Sequence, residues 1–178
     1  ESLKILKETN ALLEGHFVLS SGLHSDKYVQ CAQLLSKPSK AKEICLSLAE
    51  KINENFKSFD LIVSPAMGGV VIGYEIGRIL GKETIFAERV NGKFELRRGF
   101  KIQKNQKILI VEDVITTGKS SLECADMVNK QHGNVIGYAC IIDRSNDRSL
   151  IKKDFVSQIK IEIPTYNKNE LPDHLKKL

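Results

Sequence analysis

Tryptophan is absent, and aromatic residues make up only 6% of the 178 residues. The chain therefore offers few flat faces on which unpaired bases could stack, which disfavours a dedicated single-strand nucleic-acid binder. The four cysteines, Cys31, Cys45, Cys124 and Cys140, are far apart, with no C-x-x-C pair and no histidine at metal-ligand spacing. Neither a zinc site nor a redox dithiol is written here, and reduced thiols in a cytoplasmic protein are the expected state. No apolar run reaches the ~18 residues of a membrane span. The opening Glu-Ser-Leu-Lys-Ile-Leu-Lys also lacks the continuous apolar core of a signal peptide, so no membrane partner is expected. Repeats and low-complexity tracts are missing as well, which sets aside collagen, coiled coil and disorder.

What is present is the composition of a globular protein, 42% hydrophobic and 28% charged. The length suits one domain over residues 1–178. Lys and Arg number 27 against 22 Asp and Glu, a net charge of +5, which is compatible with nucleic acid, an acidic surface or a small anionic substrate. The basic residues are spread out except at Arg97-Arg98 and the C-terminal lysines, so nucleic acid is not expected as a partner.

Leucines at near-helical spacing from Leu3 to Leu13 predict a short helix over residues 3–14, ended by Gly15. Residues 17–35 read as a hairpin or small separate sheet, and residues 1–38 together as an N-terminal helix and lid. From about Ser39 the pattern becomes helix, strand, helix, strand. An amphipathic stretch to Phe56 leads to DLIVSPA, GGVVIGYEIGRIL, TIFAERV, KILIVEDVI, a helix over about 118–131, and VIGYACIIDRS. The nearly continuous apolar runs predict strands covered by helices on both faces. The fold class is therefore α/β, doubly wound around a mainly parallel central sheet, with the core over 39–145. A polar excursion over 88–106, with turn signals Asn91-Gly92 and Arg98-Gly99, predicts a mobile loop or a solvated hairpin. The extension over 146–178, polar after Pro164, reads as loosely attached.

The chemistry concentrates in KILIVEDVITTGKSS, residues 107–121. A buried strand delivers two adjacent carboxylates, Glu112 and Asp113, to its C-terminal end, where open α/β sheets bind ligands. The chain then turns through Thr116, Thr117, Gly118, Lys119 and Ser120 into a helix, whose N-terminal amides and dipole suit a phosphate. A Walker A loop needs glycine five residues before Gly118, and Asp113 stands there instead. The acids suit sugar hydroxyls and can help position Mg²⁺, while the turn suits a monophosphate.

Glu112-Asp113-Val114-Ile115-Thr116-Thr117-Gly118-Lys119-Ser120 resembles the phosphoribosyl diphosphate signature of the type I phosphoribosyltransferases. Gly15 to Ser25 (GHFVLSSGLHS), Ser64 to Gly69 (SPAMGG) and Ile141 to Ser145 (IIDRS) bring the likeness closer to the orotate branch of that family. The resemblance implies transfer of a phosphoribosyl group from 5-phosphoribosyl 1-diphosphate to orotate, giving orotidine 5-monophosphate and pyrophosphate, with Mg²⁺ as cofactor. It also implies a homodimer whose catalytic loop is shared across subunits.

Residue by residue, the resemblance assigns the ribose hydroxyls to Glu112 and Asp113 and the 5-phosphate to Thr116 through Ser120, with Thr116 also next to the base. Val114 and Ile115 lie within the same signature. Arg144 would contact orotate, and backbone near Tyr28 and Val29 would line the base pocket. Ser64 to Gly69, including Met67 as pocket wall and Gly68, corresponds to the pyrophosphate loop. Arg89 and Lys93 fall in the catalytic loop, with Arg89 expected to reach the neighbouring subunit. Asp113, Arg89 and Lys93 are the catalytic candidates. No direct protein ligand to Mg²⁺ is expected.

The chain departs from the common pattern in having Ser20 and Gly68 where many members have lysine, and in a loop poor in Lys and His. Arg97, Arg98 or His24 are the candidates to restore positive charge. His16, His132 and His174 show no partner at catalytic spacing. A purine-type phosphoribosyltransferase and a non-catalytic sensor of phosphoribosyl diphosphate remain the alternatives.

Overall fold

The computed structural model describes residues 1–177. The chain opens with α1 (Ser2–Glu8), β1 (Leu12–Val18), β2 (His24–Val29), α2 (Cys31–Leu35) and α3 (Pro38–Asn55). Next come β3 (Leu61–Pro65), α4 (Gly68–Leu80), β4 (Glu83–Val90), β5 (Lys93–Glu95), β6 (Lys107–Ile115), α5 (Lys119–Lys130) and β7 (Asn134–Asp143). β8 (Phe155–Lys160) and α6 (Asp173–Lys176) complete it.

The main sheet has six strands in the order β5-β4-β3-β6-β7-β8. Every pairing is parallel except that of the short edge strand β5 with β4. The expected doubly wound, mainly parallel architecture is present. Alternation along the strands divides the core into two layers. Ile62, Leu109, Val111, Ala139 and Ile141 pack against α3 and α4. Leu61, Val63, Ile108, Ile110 and Cys140 meet Cys124, Ala125 and Val128 of α5 on the other face.

The helices follow from their apolar spacing. Pro38 at the start of α3 needs no intrahelical donor, and Ala41, Ile44, Cys45, Leu48, Ala49 and Ile52 form one buried stripe. Each fully buried Leu or Ile contributes roughly 1.5 to 3 kcal/mol relative to exposure. Substituting Leu48, with none of its surface exposed, by Ala would therefore open a costly cavity.

The chain winds one way from β3 through α4 to β4, and the other way from β6 through α5 to β7. The reversal falls between the adjacent strands β3 and β6. Their C-terminal ends open the crevice in which such sheets bind ligands.

Two expectations, for the first helix and the tail, are corrected, and of the two readings of residues 88–106 the structure shows the hairpin. The first helix stops at Glu8 rather than continuing to residue 14. The Thr9 hydroxyl donates back to the Ile5 carbonyl at 2.8 Å, Asn10 takes a left-handed φ of 62°, and Leu12 then enters β1. The 88–106 excursion is a hairpin folded onto the body. β4 runs to Val90, turns at Asn91-Gly92 into β5, and the return passes Arg98, whose fork donates to both Glu88 oxygens at 2.9 Å. The tail is also docked. His24 and Tyr166 exchange backbone hydrogen bonds of 2.8 Å, Ser25 Oγ donates to the Pro164 carbonyl at 2.7 Å, and Leu175 is buried. The tail thus straps the two-stranded antiparallel lid of β1 and β2.

Candidate active site

β6 carries Glu112 and Asp113 to the reversal point. Alternation turns them to different surroundings. Glu112 is 9% exposed and accepts a hydrogen bond from Ser121 Oγ on α5, whose residue is fully buried. Burial pushes the Glu112 carboxyl up to about 7, against the lowering effect of Ser121 and Arg89, with Asp113 adding to the rise. Asp113 accepts from the Val114 amide at 2.8 Å, and burial raises its carboxyl as well.

Opposite Asp113 lies the turn joining β3 to α4. A Cβ placed on Gly68 would come within 2.9 Å of Asp113 Oδ1, and one on Gly69 within 3.1 Å of the Val111 carbonyl oxygen. These glycines let the turn come up against the carboxylate and the end of β6. Met67 is 87% exposed beside them, on the outside of the turn.

After β6 the chain makes the turn that opens α5. Ile115 is buried, while Thr116, Thr117, Lys119 and Ser120 are exposed at the crevice. Gly118 takes φ of 87°, a conformation glycine adopts without the Cβ penalty, and sits buried against Ile151 and Ser149. The turn is braced by Leu150 N donating to the Thr117 carbonyl at 2.8 Å and Lys119 N to Thr117 Oγ1 at 3.1 Å. Exposed hydroxyls and a helix N-terminus together form an anion-compatible surface. Val114 packs toward the core instead of the crevice.

Arg144 follows β7, and its amide donates to the Ile115 carbonyl at 2.9 Å, which ties it to the same end of the sheet. Its guanidinium is partly buried, and burial lowers its pKa while nearby Tyr28 acts the other way. Arg144 Nε is buried without a hydrogen bond among the described residues. A guanidinium edge in that setting suits an anionic acceptor such as a carboxylate. The Tyr28 ring stacks on Phe17 with centroids 5.6 Å apart, whereas Val29 turns its side chain into the core.

Arg89 does not project away from its own body. It donates to Ser120 Oγ at 3.3 Å, pairs with Glu123 at 2.7 Å and lies 4.2 Å from the Phe94 ring centroid. Its cation thus stands beside the turn of its own α5. Lys93 is exposed on β5, and Arg97 is exposed farther along the hairpin. Of the charges considered as replacements for the missing lysines, Arg98 is committed to Glu88.

His24 is committed as well. Its Nδ1 lies 2.6 Å from His16 Nε2 across the lid, a partnership not anticipated for His16. His174 pairs with Asp26 at 3.4 Å. A cavity of about 620 Å³ lies away from Glu112 and Asp113, between the β4–β5 hairpin and α5, lined by Phe94, Glu123, Met127 and Lys130 among others.

Sequence reasoning missed Ser121, Glu123 and Phe94. Ser121 and Glu123 are one and three residues past the signature on the helix it opens, and a polar residue there gives no sign of which way it faces.

Comparison with known proteins decides the family. Residues 30–177 match the model of the phosphoribosyl transferase domain. The chain belongs to this family. It is 42% identical to the orotate phosphoribosyltransferase of Erythrobacter litoralis over 179 aligned positions, covering 100% of this chain and 93% of that one. Among solved structures, the orotate phosphoribosyltransferase of Aeropyrum pernix superimposes with a TM-score of 0.73 at 23% identity, over 90% of this chain and 94% of that one. The adenine phosphoribosyltransferase of Saccharomyces cerevisiae gives 0.71 at 17% identity, over 88% and 99%. As a phosphoribosyltransferase fold, the chain thus resembles solved proteins named for different bases. The fold alone does not choose the base. No described helix is long and apolar enough to cross a membrane.

Proposed function

We propose that this phosphoribosyltransferase transfers the phosphoribosyl group of 5-phosphoribosyl 1-diphosphate to orotate, releasing pyrophosphate and forming orotidine 5-monophosphate for pyrimidine synthesis. The observation that carries the reading is the convergence of Glu112 and Asp113, the α5 turn and the glycine turn of Ser64 to Gly69 at one reversal point of the sheet. The 42% identity to a protein named for orotate supports the choice of base.

Glu112 and Asp113 accept hydrogen bonds from the ribose hydroxyls. Thr116, Thr117, Lys119 and Ser120 surround the 5-phosphate, with Arg89 adding charge from the edge of the same turn. Gly68 and Gly69 allow the backbone to approach the pyrophosphate. N1 of orotate attacks C1 of the ribose as the bond to pyrophosphate breaks, through a transition state with oxocarbenium character. Little proton transfer is needed, so the chain's contribution is orientation and electrostatics.

Among the described residues no three or more His, Cys, Asp or Glu side chains cluster to hold a metal. Glu112 and Asp113 would suit Mg²⁺ carried on substrate oxygens, since such an ion usually keeps waters and takes few protein ligands. Such an ion would neutralise charge on the leaving pyrophosphate.

Arg144 supplies the fork for the orotate carboxylate, in place of a lysine at Ser20. Steady-state kinetics of Arg144→Ala test this. The Michaelis constant for orotate should rise about tenfold or more, that for phosphoribosyl diphosphate far less, and Arg144→Lys should restore only part. Equal effects on both constants would remove Arg144 from base recognition. In the assembly, two copies pair, with Lys93 and Arg97 on the exposed hairpin available to the neighbouring site and Arg89 serving its own.

A further inference from the structure

Ser121 lies outside the signature that the chain shares with its family, and none of its surface is exposed. It stands in the first turn of α5, facing inward beneath the phosphate turn, and its hydroxyl donates to Glu112 Oε2. Glu112 is itself almost enclosed, between the end of β6 and that helix. A carboxylate in such a place has few rotamers open to it, and its direction is set by whichever donor reaches it.

The surroundings of Glu112 sharpen the point. Asp113 is adjacent and repels a second negative charge, Cys124 and Cys140 are buried thiols close to Glu112, and Arg89 is the cation that acts on it. Arg89 is already engaged with Glu123 at 2.7 Å. Ser121 is therefore the donor in direct contact that favours the ionised form of Glu112, whose carboxyl burial pushes up to about 7 even with that donor in place.

We propose that Ser121 is a positioning residue for phosphoribosyl transfer, acting through Glu112 by fixing the direction of its carboxylate and keeping it an acceptor for a ribose hydroxyl. This inference rests on the ribose-binding role given to Glu112 above. A protonated or rotated Glu112 would offer fewer lone pairs toward the sugar, and the loss would fall on sugar binding rather than on the base.

The test is calorimetric binding of phosphoribosyl diphosphate to the full chain and to Ser121→Ala, Ser121→Cys, Glu112→Gln and the double variant Ser121→Ala/Glu112→Gln. Ser121→Ala should weaken binding about tenfold near about pH 6.5 and only about twofold near about pH 8.5, where ionisation of Glu112 depends less on that donor. Ser121→Cys keeps the volume with a weaker donor and should fall between, which preserves the test if the alanine variant folds poorly. In the Glu112→Gln background, loss of the Ser121 hydroxyl should change affinity by less than about twofold, since coupled residues do not add. The inference is overturned if the serine variants bind as tightly as the unmodified chain, or if their losses are equal at both pH values and add to that of Glu112→Gln. If the unmodified chain does not bind phosphoribosyl diphosphate at all, the functional reading itself fails, an outcome distinct from the other two.

Discussion

Gly68 and the Asp113 carboxylate face each other so closely that a Cβ on the glycine would lie 2.9 Å from one carboxylate oxygen and 3.0 Å from the other. The approach leaves no room for a side chain at residue 68 while Asp113 keeps its place. A side chain at 68 would have to displace Asp113 from the Val114 amide that holds it at 2.8 Å. Gly68→Ala should therefore weaken phosphoribosyl diphosphate binding by about 1 to 3 kcal/mol, the scale of a misplaced charge-assisted hydrogen bond. Because residue 68 is exposed, the thermal midpoint should move little. Calorimetry together with a melting curve checks both halves.

Arg89 is bound to Ser120 and Glu123 of its own chain, which sets the outcome of a mixing experiment. Arg89→Ala and Asp113→Ala variants should each lose activity. In the dimer proposed above, mixed pairs of the two should recover none, because Arg89 is engaged beside the turn of its own α5. Recovery toward half the unmixed, unmodified rate would show instead that Arg89 crosses to the neighbouring site.

The buried Glu112 carboxyl makes stability depend on pH in a defined direction. Its folded pKa, about 7, lies above the ordinary 4.5. Between those values the native state binds a proton that the unfolded chain has lost, so stability is full at low pH and declines as pH rises through about 7. The contribution is at most about 3 kcal/mol, from 1.36 kcal/mol per pH unit. Glu112→Gln should flatten this part of the curve and raise the ligand-free melting temperature above about pH 8, while weakening sugar binding. Denaturation across about pH 5 to 8 gives the answer, and a variant curve parallel to that of the unmodified chain would contradict it.

The parts of the fold legible in the sequence are those in which local pattern and packing agree. Strands such as Ile108 to Val111 are apolar on both faces because helices cover both, and that run is visible without coordinates. Leu12 and Leu13 continue a helical spacing past the end of α1, which stops because Thr9 bonds back, Asn10 turns left-handed and Leu12 pairs with Val29. β8 is not legible in the sequence because Phe155, Val156 and Ile159 do not alternate as a half-buried strand does, and none of its residues is fully buried at the sheet edge.

At the candidate site, the acids and the phosphate turn were legible because they are consecutive in sequence. The Gly68–Asp113 approach, the inward-facing Ser121 and the clamp of Glu123 and Phe94 on Arg89 were not. Each depends on elements separated in the chain or on which side of a helix a polar residue faces.

The measurement that bears most directly on the central claim is steady-state turnover of the unmodified chain with phosphoribosyl diphosphate, Mg²⁺ and orotate, hypoxanthine or adenine in turn. Formation of orotidine 5-monophosphate should exceed transfer to either purine by at least about a hundredfold in kcat/KM, because the buried Nε of the partly buried Arg144 is left unpaired without the orotate carboxylate. A preference for adenine or hypoxanthine would contradict the assignment of the base while leaving the sugar-phosphate site in place, and absence of turnover with all three would contradict the catalytic reading.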